Sequence, residues 1–470
     1  MSLSHLLKRA LHKSSFFQYS LGLALSTAES LFKKVKNGVE YKRILFRNQL
    51  EQIVNLQLVV SYPNNNFNFN ARSINLIDFK NCIVHQYNFD CPPIKDSVTH
   101  YYKQEGRSLD IGSFFMGIKK EHSVHMRKDQ NYICLNCGYY IQIVNTQNLL
   151  CSIVPANYLS EIWMYCDTGA YSPDDRYWYS VRWKLTHTFE MINGEQQYIP
   201  CEIIKVELET LKIAVVNTIH YKDNVHQITC SPDERYLVIT SFKQNLYIDY
   251  PKESIYTNPK GYRKSHEKGI IPDEIVTLDL KTGHYWYTQI PTPVPAHVEF
   301  DLINNRRIYL STHNMKTYQS NIFLEGNAAI YRLDIKDGET IISGCYTGSD
   351  VYRITQPDLF LRNGKVMIST ANTPDKLDII DAETMSLYER IIVTPNIKPL
   401  NFSKYGSALA PNKPNVYLSS TPSSDGRYVI VGAREGFKLY DMDAKELTTI
   451  TERLPENMVL GYGHPRQLGK

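Results

Sequence analysis

No stretch of this chain holds the about 18 consecutive apolar residues of a membrane-crossing helix, which excludes an integral helical membrane protein. Cysteine is scarce: nine in 470 residues, an odd number, is not a disulfide framework and points to a reducing compartment, read here as the cytoplasm. The only close pair, Cys134-Leu-Asn-Cys137, lacks the second pair or spaced histidines that zinc needs, so it reads as two cysteines in one strand. Neither sign of charge is in excess. Lys and Arg total 52 and Asp and Glu 48, too even to imply a nucleic-acid partner. Also missing are the Gly-x-Ser-x-Gly elbow, the P-loop, His-Glu-x-x-His and a Gly-x-Gly-x-x-Gly after a strand, which removes hydrolase, nucleotide-binding and classical zinc-protease readings. What is present is a core-forming composition, 43% hydrophobic and 21% charged, which excludes wholesale disorder. The chain has 34 Tyr and 17 Phe, and that richness favours strands over helices.

The first residues differ from the rest. Lys8, Arg9 and Lys13 precede any acidic residue, and the run Phe16 to Leu25 is broken by Gln18, Tyr19 and Ser20, with no small-x-small cleavage site after it. Ser26-Thr27-Ala28-Glu29 reads as a capping box opening a helix that ends near Gly38. We therefore expect a helical segment over 1–43, with weak membrane-surface contact through 1–37 or a presequence as the alternative.

From residue 44 a strand-turn-strand phrase takes over, an alternating apolar strand, an acid or Asn, polar turn residues and a second strand. Its copies start at Ile74, Ile141, Ile204, Ile275, Ile330, Leu377 and Phe437, with Asp78, Asn145, Glu207, Asp279, Asp334, Asp381 and Asp441 at the turn. A second phrase precedes several of them: Ser172-Pro-Asp-Asp-Arg-Tyr177, Ser231-Pro-Asp-Glu-Arg-Tyr236 and Ser423-Ser-Asp-Gly-Arg-Tyr428. Four strands per repeat and seven repeats predict an all-β, seven-bladed β-propeller over 44–470, behind the short N-terminal helical extension. These Ser-Pro-Asp-x-Arg-Tyr turns resemble those of the broad YVTN/WD40-like propeller class, and the resemblance implies architecture only. The acid-to-acid spacing of 47 to 72 residues exceeds a compact blade of about 40–45, so the surplus is loop. It falls at 183–200, 242–272 and 313–327, between second and third strands of blades 3, 4 and 5. Such inserts roof one side of one face, with Tyr247, Tyr250, Tyr256 and Tyr262 available to wall a pocket.

Counting ten residues back from the start of each second strand, at Tyr132, Tyr236 and Arg307, places His122, His226 and His297 in one gapless column, with Asp167 at the same position in blade 3. The Gly-rich end Gly461-Tyr-Gly-His464 offers a fourth histidine if the C-terminal strand 463–470 pairs beside strand 56–61 and closes the ring. Imidazoles converging on the channel axis would bind a divalent transition metal, Fe(II) first and Cu or Mn next. Glu299, two residues beyond His297, would orient a ligand or act as base, and Asp167 is a further ligand or base. The bland alternative is a wet, His-lined channel. The layout is similar to that of carotenoid cleavage oxygenases, whose propellers hold iron on four inner-strand histidines, and of copper-dependent selenium-binding-type propellers. That resemblance implies iron ligands at His122, His226, His297 and His464. Two functions follow as expectations: a metal-dependent oxidoreductase or lyase acting on a small organic substrate in the channel, or a non-catalytic scaffold for protein partners.

Overall fold

The computed structural model describes residues 30–45, 57–90, 125–241, 273–393, 419–449 and 466–467, less short internal segments. Within them the chain is all-β, and none of its helices is long and apolar enough to cross a membrane, since the described residues hold strands and turns alone. Seven sheets of four or more strands follow one another along the sequence. The fourth shows the plan: Val225–Cys230 innermost, then Tyr236–Ser241, Asp273–Asp279 and Tyr285–Ile290, each antiparallel to its neighbour.

Strand alternation is apolar on both sides in the third to sixth sheets, because each of these is covered on both faces. In the fourth sheet Leu237, Ile239, Val276 and Leu278 pack with Val181, Ile203 and Ile219 of the third. The intervening Tyr236, Val238 and Ile275 pack with Val298, Ile308 and Leu333 of the fifth. The same alternation continues between sheets two and three, five and six, and six and seven. Each such fully buried aliphatic side chain contributes roughly 1.5–3 kcal/mol. Successive face-to-face sheets with their first strands innermost are the architecture of a β-propeller.

The two repeated phrases meet in space. Ser231 Oγ donates to Asp233 Oδ1 (2.6 Å) and accepts from Tyr236 N–H (2.9 Å), which rigidifies the turn between first and second strands. Ser172 and Ser423 do the same in their sheets. The turn arginine then reaches the acid of the hairpin: Arg235 to Asp279 (3.2 Å), Arg427 to Asp441 (2.9 Å) and Arg176 to Glu207 (3.3 Å), and in the fifth sheet Arg307, the first residue of the second strand, reaches Asp334 (2.8 Å). The acid also accepts backbone N–H groups of its own turn, from Lys281 (2.9 Å) and Thr282 (3.3 Å) at Asp279. Burial opposes ionisation of Asp279, but these N–H donors and Arg235 outweigh it and hold the carboxyl below the usual range.

The expected pairing of the C-terminal segment with the first sheet is present at two positions: Arg466–Gln467 pairs antiparallel with Gln57–Pro63, Val59 opposite Arg466 and Leu58 opposite Gln467. The N-terminal expectation needs correction. Residues 1–29 lie outside the described residues, but the second half of the expected helix is a strand, Ser30–Lys36, paired with Val39–Leu45. That second strand crosses the expected boundary at 43/44 and adds to the first sheet beside Ile83–Asp90. The physical reason lies in the two residues between the strands, Asn37-Gly38, the dipeptide most favoured in a two-residue hairpin. The edge strand Ile83–Asp90 then pairs with Val39–Leu45, so the segment gains tertiary support that a short isolated helix would not have.

Candidate functional site

His226 lies in the first strand of the fourth sheet and His297 in Pro295–Phe300, the first strand of the fifth. Both are buried. Their rings meet edge to face, with centroids 4.9 Å apart and planes at 63°. His122, His464 and Asp167 lie outside the described residues. Two of the four expected imidazoles are thus brought together.

The gapless column does not survive for this pair. The turn in the fifth sheet, 301–306, is one residue longer than 231–235 in the fourth, since Cys230 pairs with Leu237 but Phe300 with Ile308. Counted along the ladders, His297 opposite Ser311 corresponds to Gln227 opposite Thr240. His226 falls at a bulge between Val225 and Gln227, the position of Ala296 in the next sheet. The rings still touch, because the bulge turns a side chain out of strict alternation.

Gln227 was missed by sequence reasoning and organises the site. Its Nε2 donates to the Val298 carbonyl (2.9 Å) and its Oε1 accepts from Val298 N–H (3.3 Å), which fixes the amide's orientation. The same Oε1 lies 3.2 Å from His297 Nδ1. That nitrogen must therefore carry the proton and donate, which leaves the lone pair of neutral His297 on Nε2. On the other side the backbone of Thr168 bridges to this strand: Thr168 N–H donates to the His226 carbonyl (2.9 Å) and Ile228 N–H to the Thr168 carbonyl (3.1 Å). Glu299, the candidate base, is half-buried and accepts from Gln356 Nε2 in the inner segment of the sixth sheet. Thr240 Oγ1 donates to the Ala296 carbonyl (2.9 Å), a further link between the fourth and fifth sheets. Counting from the first residue of each turn, Ser231 or Asp301, instead of from the second strand would have exposed the one-residue slip.

The inserts leave the sheets at the histidine end. Ser241, just before 242–272, pairs with Val225 beside His226, and Thr312, just before 313–327, pairs with Pro295. Insert 313–327 carries its own hairpin, Met315–Tyr318 with Asn321–Leu324, and 183–200 a shorter one, Met191–Ile192 with Glu195–Gln196. Tyr247, Tyr250, Tyr256 and Tyr262 lie outside the described residues. Among the described residues no group of three or more His, Cys, Asp or Glu side chains converges as a metal-ligand set.

No family model matches the chain, and no curated protein matches it. Solved structures do. The Kuenenia stuttgartiensis hydrazine synthase aligns with 69% of this chain and 78% of its own, at 13% identity and a TM-score of 0.43. A functionally unknown protein from Desulfotomaculum acetoxidans aligns with 73% and 88%, at 11% identity and a TM-score of 0.44. The β-propeller domain of Myceliophteria thermophila Cps50 (Swd1) aligns with 70% and 86%, at 10% identity and a TM-score of 0.42.

Proposed function

We propose that this chain is a seven-bladed β-propeller closed by its C-terminal strand, and that it works as a non-catalytic scaffold for protein partners. The observation that carries the reading is the use made of the inner-strand polar residues. Gln227 spends both ends of its amide on Val298 and accepts the His297 proton. The Glu299 carboxylate is engaged by Gln356. Groups nominated for chemistry thus tie the fourth, fifth and sixth sheets together, which is what a rigid platform requires.

A specific geometry favours the metal-dependent reading as a second one. Two buried imidazoles from adjacent strands lie ring to ring, and the Gln227 contact orients His297 as an outer partner orients a metal ligand. In that reading His226 and His297, with His122 and His464, would hold Fe(II), or Cu or Mn, which would supply a Lewis-acid or redox centre to a small organic substrate. Among the described residues the pair His226 and His297 is what the structure brings together of that set.

Metal analysis of protein purified without added metal separates the two. The scaffold reading expects no stoichiometric metal, and a lower melting temperature on Gln227→Leu and Glu299→Leu. One equivalent of iron, copper or manganese that His226→Ala removes would sink it.

A further inference from the structure

The outermost strand of the third sheet has a sequence suited to pairing with another chain. Ile213–Tyr221 is nine residues long, five of them β-branched, and holds no Lys, Arg, Asp, Glu, Gly or Pro. Those are the features of a segment that adds to copies of itself. The outermost strands of four other sheets are interrupted by charge or proline: Pro155 in the second, Glu339 in the fifth, Glu389 and Arg390 in the sixth, and Glu446 in the seventh. Ile213–Tyr221 also lies at the surface, with Ala214, Thr218 and His220 exposed and Val215 51% exposed. Among the described residues it pairs with Ile199–Glu207 alone.

Two features close this edge. Ile203 stands opposite Asn217 but Ile204 opposite Val215, so Val216 is an extra residue whose bulge bends the strand. The second feature comes from the fourth sheet. Alternate residues of an outermost strand turn their N–H and C=O away from the sheet. His220 is one of them, and stands opposite Pro200, which has no N–H. Its N–H donates to the Tyr285 hydroxyl (3.3 Å), and its carbonyl accepts from the Tyr287 hydroxyl. Tyr285 and Tyr287 lie two apart on Tyr285–Ile290 and so share its side toward the third sheet, their rings edge to face at 5.9 Å. Trp286 between them packs on the other side, with the core shared by the fourth and fifth sheets. A third link runs from Asn217 Nδ2 to the Gly283 carbonyl (2.8 Å).

We infer that Tyr285 and Tyr287 form a hydroxyl guard on the edge of the third sheet. They occupy, at His220, the donor and the acceptor through which a second copy of this chain would pair along Ile213–Tyr221. The match is specific: one hydroxyl accepts and the other donates, which reproduces the two hydrogen bonds that an added antiparallel strand forms with one residue. A tie between sheets needs only one bond, as Asn217 makes with Gly283. The guard goes beyond the scaffold reading and holds equally for the metal-dependent one.

The test compares the full chain with Tyr285→Phe/Tyr287→Phe, which keeps both rings and removes both hydroxyls. Amide hydrogen exchange in peptides spanning 213–221 should quicken about tenfold at His220. Light scattering at rising concentration should show assemblies larger than those of the wild type. Thr218→Lys places a charge on the exposed edge. Added to the double variant, it should return the mass to the wild-type value without raising the melting temperature. Unchanged exchange at His220 overturns the hydroxyl contact itself. Faster exchange in a variant of wild-type mass shows that the hydroxyls only tie two sheets together, and overturns the guard. So does association that Thr218→Lys leaves in place, because it then runs through another surface.

Discussion

Gln227 and His297 join two neighbouring sheets, Oε1 of the first lying 3.2 Å from Nδ1 of the second, while the same amide closes a two-point contact with Val298. Replacing Gln227 with Leu keeps the volume but strands the buried Val298 N–H and carbonyl and the His297 proton. The expected cost is about 1–3 kcal/mol per group left unsatisfied, read as a lower denaturation midpoint. Unchanged stability would show that the amide is not a link between sheets.

Asp378 is fully buried and accepts from Arg390 Nε (2.6 Å) and Nη2 (2.9 Å), from the Tyr346 hydroxyl (2.9 Å) and from Asn372 Nδ2 (3.0 Å). Arg390→Ala removes its countercharge and should cost roughly 3–5 kcal/mol, as expected when one partner of a buried pair is lost. Asp378→Asn in the same background should recover part of the loss in a urea titration, because it removes the orphaned charge.

Gly426 and Gly338 both have left-handed backbones, at φ +67° and +84°. A Cβ on Gly426 would sit 2.1 Å from the Leu361 carbonyl oxygen in the neighbouring sheet, whereas one on Gly338 would meet nothing within 4 Å. Gly338→Ala should cost only the left-handed penalty of about 1–2 kcal/mol. Gly426→Ala should cost clearly more, since backbone has to move. Equal melting temperatures of the two variants would contradict this packing.

Acid should unfold the protein through the hairpin carboxylates. The Thr384 N–H above all depresses Asp381, while at Asp441 the Arg427 guanidinium and turn N–H groups overcome burial. Asp279 is likewise depressed. Carboxyls with folded values below their unfolded values stabilise fully above the unfolded range near pH 4. That contribution is lost as pH falls through the folded values. Melting temperature should be flat from pH 7 to about pH 5 and drop below pH 4, less steeply in Asp381→Asn.

Deleting residues 463–470 should remove the strand beside Leu58 and Val59 and open the first sheet. The expected result is loss of a single cooperative unfolding transition. A truncated protein that melts like the full chain would mean that closure does not depend on this strand.

Much of the fold was legible because it is local. All seven expected hairpins that start at Ile74 through Phe437 are third-to-fourth-strand hairpins, and each inner turn of the Ser-x-Asp type lies where its spacing placed it. The N-terminal strand was misread because a capping box and a glycine signal a helix end locally, whereas Val39–Leu45 pairs with a strand that begins 44 residues after Val39, at Ile83–Asp90. Within the column, His226 and His297 are out of step because one added residue in 301–306 shifts the ladder without disturbing the pattern on either side.

By itself, then, the sequence determined the seven third-to-fourth-strand hairpins and their turns, since these follow from neighbours a few residues apart. Only the tertiary structure decided that an arginine at the inner turn or at the start of the second strand is the partner of the hairpin acid, that Gln227 instead of His226 stands level with His297, and that Glu299 is engaged by Gln356. Those relationships join residues 14 to 71 positions apart, as Arg427 with Asp441 and Gln227 with Val298 do, and bulges and turn lengths set them through ladder register, which no local spacing encodes.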